Sequence, residues 1–361
     1  MNNDNKLKTI KESLLTVMRE PRRWLLLVGT GASVAMDAEL GMSALKDYLL
    51  ESIIPKDTDG WISVAEKLRR GIDLEAALTG INLSGSLQNE IARHTAVFVA
   101  QKDAALRDDV LLGKKTWAGE SLLQQLMRGL SPTWPRLPVV TPNYDMLIEY
   151  ACSKANIPYI TGYHGGIMRR QDWSKARDRL YRWKVVTTSG RRQNRLAPVL
   201  CVELMKVHGS INLFRCNSDG TFVENDIWTA GCPDDYTPVI APPGDIKNGE
   251  VLNSHDRLFL EALQTIDKAT AFFVIGYGFR DKHIHQKILE RVRNYKCPLI
   301  VLTRNPSTEL DPLPTMGKNV WVITGIQNEA NGETDPSGTR FTNSNEELNG
   351  DFDGITLWQS D

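Results

Sequence analysis

Trp24-Leu25-Leu26-Leu27-Val28-Gly29-Thr30-Gly31-Ala32-Ser33 is the stretch on which the reading of the fold turns. Five apolar residues run without interruption into a Gly-Thr-Gly turn followed by small side chains. An apolar run of this length ended by glycine reads as a strand buried on both faces of a parallel sheet. Gly29 and Gly31 let the chain turn sharply and bring backbone close to a ligand. A helix beginning near Ala32 would aim free N–H groups into that turn, where they favour phosphate. Val34 stands where the dinucleotide fingerprint has its third glycine. Taken alone, the stretch fits a nucleotide-binding turn and an unliganded tight β–α turn equally.

The same design recurs along the chain. Ala271–Gly278 is an apolar strand broken by Gly276-Tyr277-Gly278, and Asp281 is placed to cap a helix through Val292. Leu137–Asp145 reads as a strand ending in a polar turn, with a helix over Met146–Lys154. Tyr159–Gly162 fits a short strand. Glu203–Lys206 leads into Val207-His208-Gly209-Ser210. Pro238–Gly244 fits a short strand and loop, Leu258–Ala269 an amphipathic helix, and Pro298–Thr303 and Val320–Thr324 two further strands. Helical spacing marks Lys6–Arg19, closed by Pro21, and dominates residues 45–130. Asn217-Ser218-Asp219-Gly220 fits the turn of a β-hairpin within Leu213–Thr229. Strands alternating with helices predict an α/β protein with a doubly wound parallel sheet, a helical insertion and a small β-hairpin insertion.

Composition narrows the class. The chain has 361 residues, 41% hydrophobic and 24% charged, with a formal net charge of −1. That is enough apolar material for a substantial core, and nothing global points to nucleic acid or membrane. The N-terminus lacks an apolar signal core, which leads to a cytoplasmic expectation. The five cysteines, Cys152, Cys201, Cys216, Cys232 and Cys297, contain no Cys-x-x-Cys pair, which argues against a disulfide scaffold and against structural zinc. Residues 169–195 hold ten Lys or Arg and two acidic residues, with Trp173, Tyr181 and Trp183 interleaved. This fits contact with nucleic acid, a solvated insertion, or pairing with an acidic partner or tail. Residues 326–361 carry eight acidic residues and one basic and read as a flexible acidic tail after a domain spanning 1–325.

In an open α/β sheet, ligands bind outside the carboxyl ends of the strands. Gly29–Ser33, Thr141–Asp145, His208–Ser210, Gly276–Gly278 and Thr303–Asn305 all follow strands and would open on that one rim. In this order Gly-Thr-Gly-Ala-Ser, Thr-Pro-Asn-Tyr-Asp, a lone His-Gly and Gly-Tyr-Gly resemble the NAD-site motifs of the sirtuins. More narrowly, they resemble the sirtuin-like NADase effectors of prokaryotic antiphage defence. The resemblance implies a Rossmann-like fold and assigns Gly29, Thr30, Gly31, Ala32 and Ser33 to the diphosphate and adjoining ribose. It sets Asn143 at the nicotinamide ribose, with Thr141 and Asp145 in the same motif, and makes His208 the catalytic histidine. Gly276, Tyr277 and Gly278 would form the second phosphate turn, and Asn305 an adenosine-ribose contact.

The resemblance has two gaps: Pro142 stands where the family has Gln, and the four zinc-ribbon cysteines are missing. No zinc is expected, and a peptide substrate becomes doubtful. The resemblance therefore implies hydrolysis of NAD to ADP-ribose and nicotinamide, gated by self-assembly into a homo-oligomer or by a partner such as a HerA-type ATPase. Protein deacylation, ADP-ribosyl transfer and a non-catalytic nucleotide or DNA module are the alternatives. Chemically, an oxocarbenium-like ribose needs exclusion of water, a positioned nucleophile and a proton acceptor, a role histidine suits. Taken singly, His208 could be structural, and Asn143 or Asp145 a turn or cap residue. His283 and His285, two apart on one helix, point to different faces and make no metal pair.

Overall fold

The structure is a computed structural model describing residues 12–54, 60–81, 83–188, 190–241, 249–305, 307–327, 334–342 and 347–350. A helix (α1) covers residues 12–19; the earlier part of the helix expected from Lys6 lies outside the described residues. Strand β1 (Trp24–Val28) sits near the middle of the main sheet, paired in parallel with β12 (Ala271–Ile275) on one side and β2 (Arg136–Thr141) on the other. Beyond β12 lie β13 (Leu299–Leu302) and β14 (Val320–Gln327). Beyond β2 lie β8 (Cys201–Lys206) and β3 (Tyr159–Ile160), and all seven strands are parallel. From β1 the chain steps to β2 on one side and later runs outward through β12, β13 and β14 on the other, so the strand order reverses at β1, which makes its carboxyl end the natural crevice of such a sheet.

Every residue of β1 is buried, because helices cover both faces. Trp24, Leu26 and Val28 join one core with α3 (Met42–Ser52), α6 (Gly85–Leu111) and α8 (Leu147–Lys154). Leu25 and Leu27 join the other, with α10 (Gly249–Lys268) and α11 (Lys282–Tyr295). This alternation is why the strand reads as a continuous apolar run. The helical insertion is present as α3, α4 (Trp61–Arg69), α5 (Leu74–Leu78), α6 and α7 (Glu120–Arg128), after the four-residue helix α2 (Gly31–Val34). No helix among the described residues is long and apolar enough to cross a membrane.

At the end of β8 the chain leaves the parallel sheet. Gly209 opens β9 (Gly209–Cys216), the second strand of an antiparallel sheet ordered β11 (Tyr236–Ile240), β9, β10 (Phe222–Glu224), β5 (Arg169–Gln171), β4 (Tyr163–Gly165). The expected hairpin is β9–β10, with its turn at Asn217–Gly220.

Two stretches differ from the reading by composition. The basic stretch includes α9 (Trp173–Asp178) and a two-stranded ribbon, β6 (Tyr181–Thr188) with β7 (Arg191–Pro198). Its alternation of cations with apolar residues is a strand pattern that its charge obscured. The acidic tail, expected to be flexible, contributes β15 (Thr334–Thr342) and β16 (Glu347–Gly350), antiparallel on the edge of β14. Composition registers the shortage of apolar side chains, whereas an edge strand recruits a neighbour through backbone donors and acceptors. Between Asp335 and Thr339 the ladder skips residues, and Pro336 falls in that gap, where its missing N–H costs nothing.

Gly209 has φ +89°, and a Cβ there would lie 2.1 Å from the carbonyl oxygen of Val239. Gly209→Ala should destabilise the fold by about 2 kcal/mol or more from backbone strain and the clash together, measured by urea unfolding. An unchanged midpoint would show that the passage from β8 to β9 does not need this geometry.

Candidate active site

Two glycine turns meet at the crevice, backbone against backbone. The Gly29 amide donates to Ile275 O and the Gly31 amide to Gly276 O, each at 2.8 Å. A Cβ on Gly29 would lie 2.5 Å from Gly276 O, and one on Gly276, where φ is +59°, would lie 2.3 Å from the Ala32 nitrogen. These glycines therefore permit one turn to press on the other. The amides of Ala32 and Ser33 are also engaged, with Gly29 O and Thr30 O at 3.0 Å. The turn does not present the row of free amides that the sequence suggested. Thr30 is half-buried and Gly31 exposed, while Ala32 and Ser33 are buried beneath them.

Under this contact lies a connected polar network. Thr141 Oγ1 donates to Val28 O at 2.8 Å and accepts from the Asn143 amide at 3.1 Å, tying the β2 turn to β1. Asn143 Nδ2 donates to Gly29 O at 3.0 Å and to Ser33 Oγ at 2.9 Å, and the Ser33 hydroxyl in turn donates to Asp145 Oδ2 at 2.7 Å. Gly29 O can only accept, which fixes the amide orientation. Asn143 Oδ1 is buried with no hydrogen-bond partner among the described residues. Such an orphaned acceptor is costly unless something donates to it. Asn143 is thus an acceptor toward any ligand, its donor capacity being already spent.

His208 follows Val207, whose amide donates to Thr141 O at 2.9 Å, so the β8 turn is laced to the turn carrying Asn143. Its backbone carbonyl accepts from the Ala241 amide, and its Nε2 lies 3.0 Å from Asp281 Oδ2. Asp281 is the expected N-cap of α11: its Oδ1 accepts from the His283 and Ile284 amides, leaving Oδ2 for the imidazole. Phe279, at φ +57° and 1% exposed, sits between the rings of Tyr277 and His285. A bulky residue in this region is strained, and its burial holds the turn that aims Asp281. On the far side, Arg280 lies 3.9 Å from Asp73 and 3.8 Å from Glu75 of the helical insertion. Glu75 is raised from its ordinary range, foremost by burial, with Arg280 and His208 pulling it down and Asp73 and Asp281 pushing it up.

Of the residues singled out by sequence, Thr141, Asn143, Asp145 and Ser33 form one buried network, with His208 on the adjoining turn. Gly276 and Tyr277 pack against the Gly29 turn. Gly278 is exposed, with nothing closer than 4.0 Å to a Cβ there, and Asn305 is exposed beyond β13. Sequence reasoning gave Asp281 a capping role and missed its second one. It also missed Lys206, Glu149 and Asp103. Lys206 Nζ lies 2.7 Å from Glu149 and donates to Asp145 O and Ser210 Oγ. The signal was a lysine ending an apolar strand, where a buried cation must find an anion. Asp103 reaches in from α6, accepting from the Met146 amide at 2.7 Å and from the Tyr150 hydroxyl.

Burial is the leading cause that pushes Asp103 up to about 6 and Glu149 up to about 7, partly opposed by Tyr150 and Lys206 respectively. A carboxyl with a raised folded-state pKa favours the native state below its unfolded value, and that advantage is lost as pH rises through the folded value. Relative to Asp103→Asn, the native chain should therefore lose about 2 kcal/mol of stability between pH 4 and pH 7. Urea midpoints of both proteins across that range check this; parallel pH curves would contradict it.

A SIR2-like domain profile matches residues 138–320. Similar solved structures include one concerned with the mechanism and regulation of Sir2 enzymes: 12% identity, 86% of this chain and 90% of that one, TM-score 0.41. Another is Sir2Tm bound to a propionylated peptide, at 14% identity, 83% and 89% coverage and TM-score 0.38. A Sir2 homologue–NAD complex matches at 14% identity, 83% and 85% coverage and TM-score 0.35. No curated protein matches the chain. The matched span takes in Asn143, His208 and Asp281, and the chain belongs to the SIR2-like domain family.

Proposed function

We propose that the chain is an NAD glycohydrolase, releasing nicotinamide and leaving ADP-ribose. The observation that carries this reading is the His208–Asp281 pair on the turn laced to the one bearing Asn143, whose buried Oδ1 has no hydrogen-bond partner among the described residues. In this reading the dinucleotide lies across the Gly29–Ser33 and Gly276–Gly278 turns, with Asn305 toward the adenosine end. Thr141, Ser33 and Asp145 act from beneath by fixing the Asn143 carboxamide.

The bond to nicotinamide breaks with its electron pair going to the ring nitrogen, so the cationic base departs neutral without an acid. Charge builds on the ribose, and water forms the new bond at the same carbon. Asn143 Oδ1 accepts a hydrogen bond from that water or from a ribose hydroxyl, orienting it. His208 takes the water proton, and Asp281 holds the ring and stabilises the imidazolium that forms. The resemblance to defence effectors extends this reading to depletion of NAD under the control of a partner or of assembly.

NAD supplied alone, with no peptide acceptor, should yield nicotinamide and ADP-ribose, quantified by chromatography, which also separates hydrolysis from deacylation and transfer. Asn143→Ala and His208→Ala should each reduce turnover at least about 100-fold. Asp281→Asn should reduce it about tenfold or more and shift the pH profile, because it acts through His208. Full turnover in both Asn143→Ala and His208→Ala would remove the site assignment.

A further inference from the structure

We propose that the β6–β7 ribbon is a binding platform for single-stranded nucleic acid, separate from the carboxyl-rim site and independent of the activity assigned to it. The ribbon is an eight-rung antiparallel pair that hydrogen-bonds to no other strand among the described residues. Two-stranded ribbons are marginal on their own in water. This one is held at its base, where the Val199 amide donates to Leu180 O, Leu180 is 7% exposed, and Arg177 of α9 bonds Glu203 of β8. From that anchor it projects into solvent.

Register sorts its side chains onto two faces. Tyr181, Trp183 and Val185, with Leu196 opposite Trp183, lie on one face; Arg182, Lys184, Arg191 and Arg195 lie on the other. Trp183 is 71% exposed, Val185 65%, Leu196 54% and Tyr181 50%. Four large apolar side chains exposed together form a patch that calls for an occupant. The chemistry of that occupant follows from charge. No acidic residue lies between Asp178 and Glu203. Arg182, Lys184, Arg191, Arg192 and Arg195 form no ion pair among the described residues, while the chain as a whole carries −1. An uncompensated cationic ribbon on a near-neutral protein selects a polyanion.

The aromatics refine this to an unpaired strand. Tyr181 and Trp183 are two residues apart on one face, about 7 Å along the strand, a spacing at which an extended single strand can lay successive bases on successive rings. The ribbon is thin enough for long cationic side chains of the opposite face to reach the phosphates at its edges, and Arg192 is already on the aromatic face. A duplex keeps its bases stacked inside and would use the cations while ignoring the rings.

Fluorescence anisotropy of the full chain with labelled oligothymidylate, oligouridylate and a duplex of equal length tests this, at a series of salt concentrations. Tighter binding of either single strand than of the duplex is expected. Trp183→Ala should weaken it about tenfold, as the loss of one stacked base predicts. Arg191, Arg192 and Arg195 replaced together by Ala should reduce the log–log salt slope by about 2. Trp183 is exposed, so its substitution should not disturb folding, and unchanged unfolding midpoints verify that. No binding at low salt overturns the proposal, as does duplex preference with Trp183→Ala unaffected. A concentration-dependent dimer abolished by Trp183→Glu, seen by light scattering, would overturn it in favour of a second copy on the same face.

Discussion

The contact of Gly29 and Gly31 with Gly276 is the constraint from which the rest of the site follows. Two parallel strands adjacent at their carboxyl ends normally diverge into separate turns. Here the turns touch, with a Gly31 amide bonded directly to Gly276 O. Because no side chain separates them, the Asn143 carboxamide can span from the β2 turn to Gly29 O, and Ser33 can reach Asp145. The same contact sets the start of the loop through Phe279 to Asp281, which meets His208 arriving from β8. The first glycine turn, the carboxamide and the histidine pair are thus all referred to a single backbone junction.

Beneath that junction the molecule buries one cation among several carboxyls. Lys206, Glu149, Asp145 and Asp103 come from a strand, a helix, a turn and the inserted helical layer. Buried ion pairs rarely add net stability compared with apolar packing. What this set does is tie four separately folded segments to one geometry, so that the insertion after β1 is coupled to the floor of the site through α6 as well as to its rim through α5.

The fold was legible because its information is local. An apolar strand ended by glycine announces itself, and β1, β12, β13 and β14 fall close to where their apolar runs place them. Asn143 and His208 could be picked out by the turns they occupy and the order of those turns. Asp281 as a partner of His208 could not, since the two are 73 residues apart and the N-cap role already accounted for the residue. The glycines are expected from sequence to make space for a ligand, and the structure shows them making space for each other. The β6–β7 ribbon and the β15–β16 extension were hidden for a common reason. In both, backbone pairing makes the strands, while composition is set by what the side chains meet outside the core.

The edges of the sheets bear on how this protein avoids open-ended sheet-to-sheet pairing. Among the described residues the main sheet ends in β3, two residues long, and in β16, four residues long, both short edges to offer a neighbouring molecule. The ribbon is the exception, with two unpaired edges eight residues in length. Long exposed edges with apolar side chains are the usual template for sheet-to-sheet polymerisation. Along this ribbon, Arg182, Lys184, Arg191, Arg192 and Arg195 make each such docking a meeting of like charges. The same cations that draw a polyanion thereby act as gatekeepers of solubility, and a variant stripped of them would face the cell with a bare, aromatic edge.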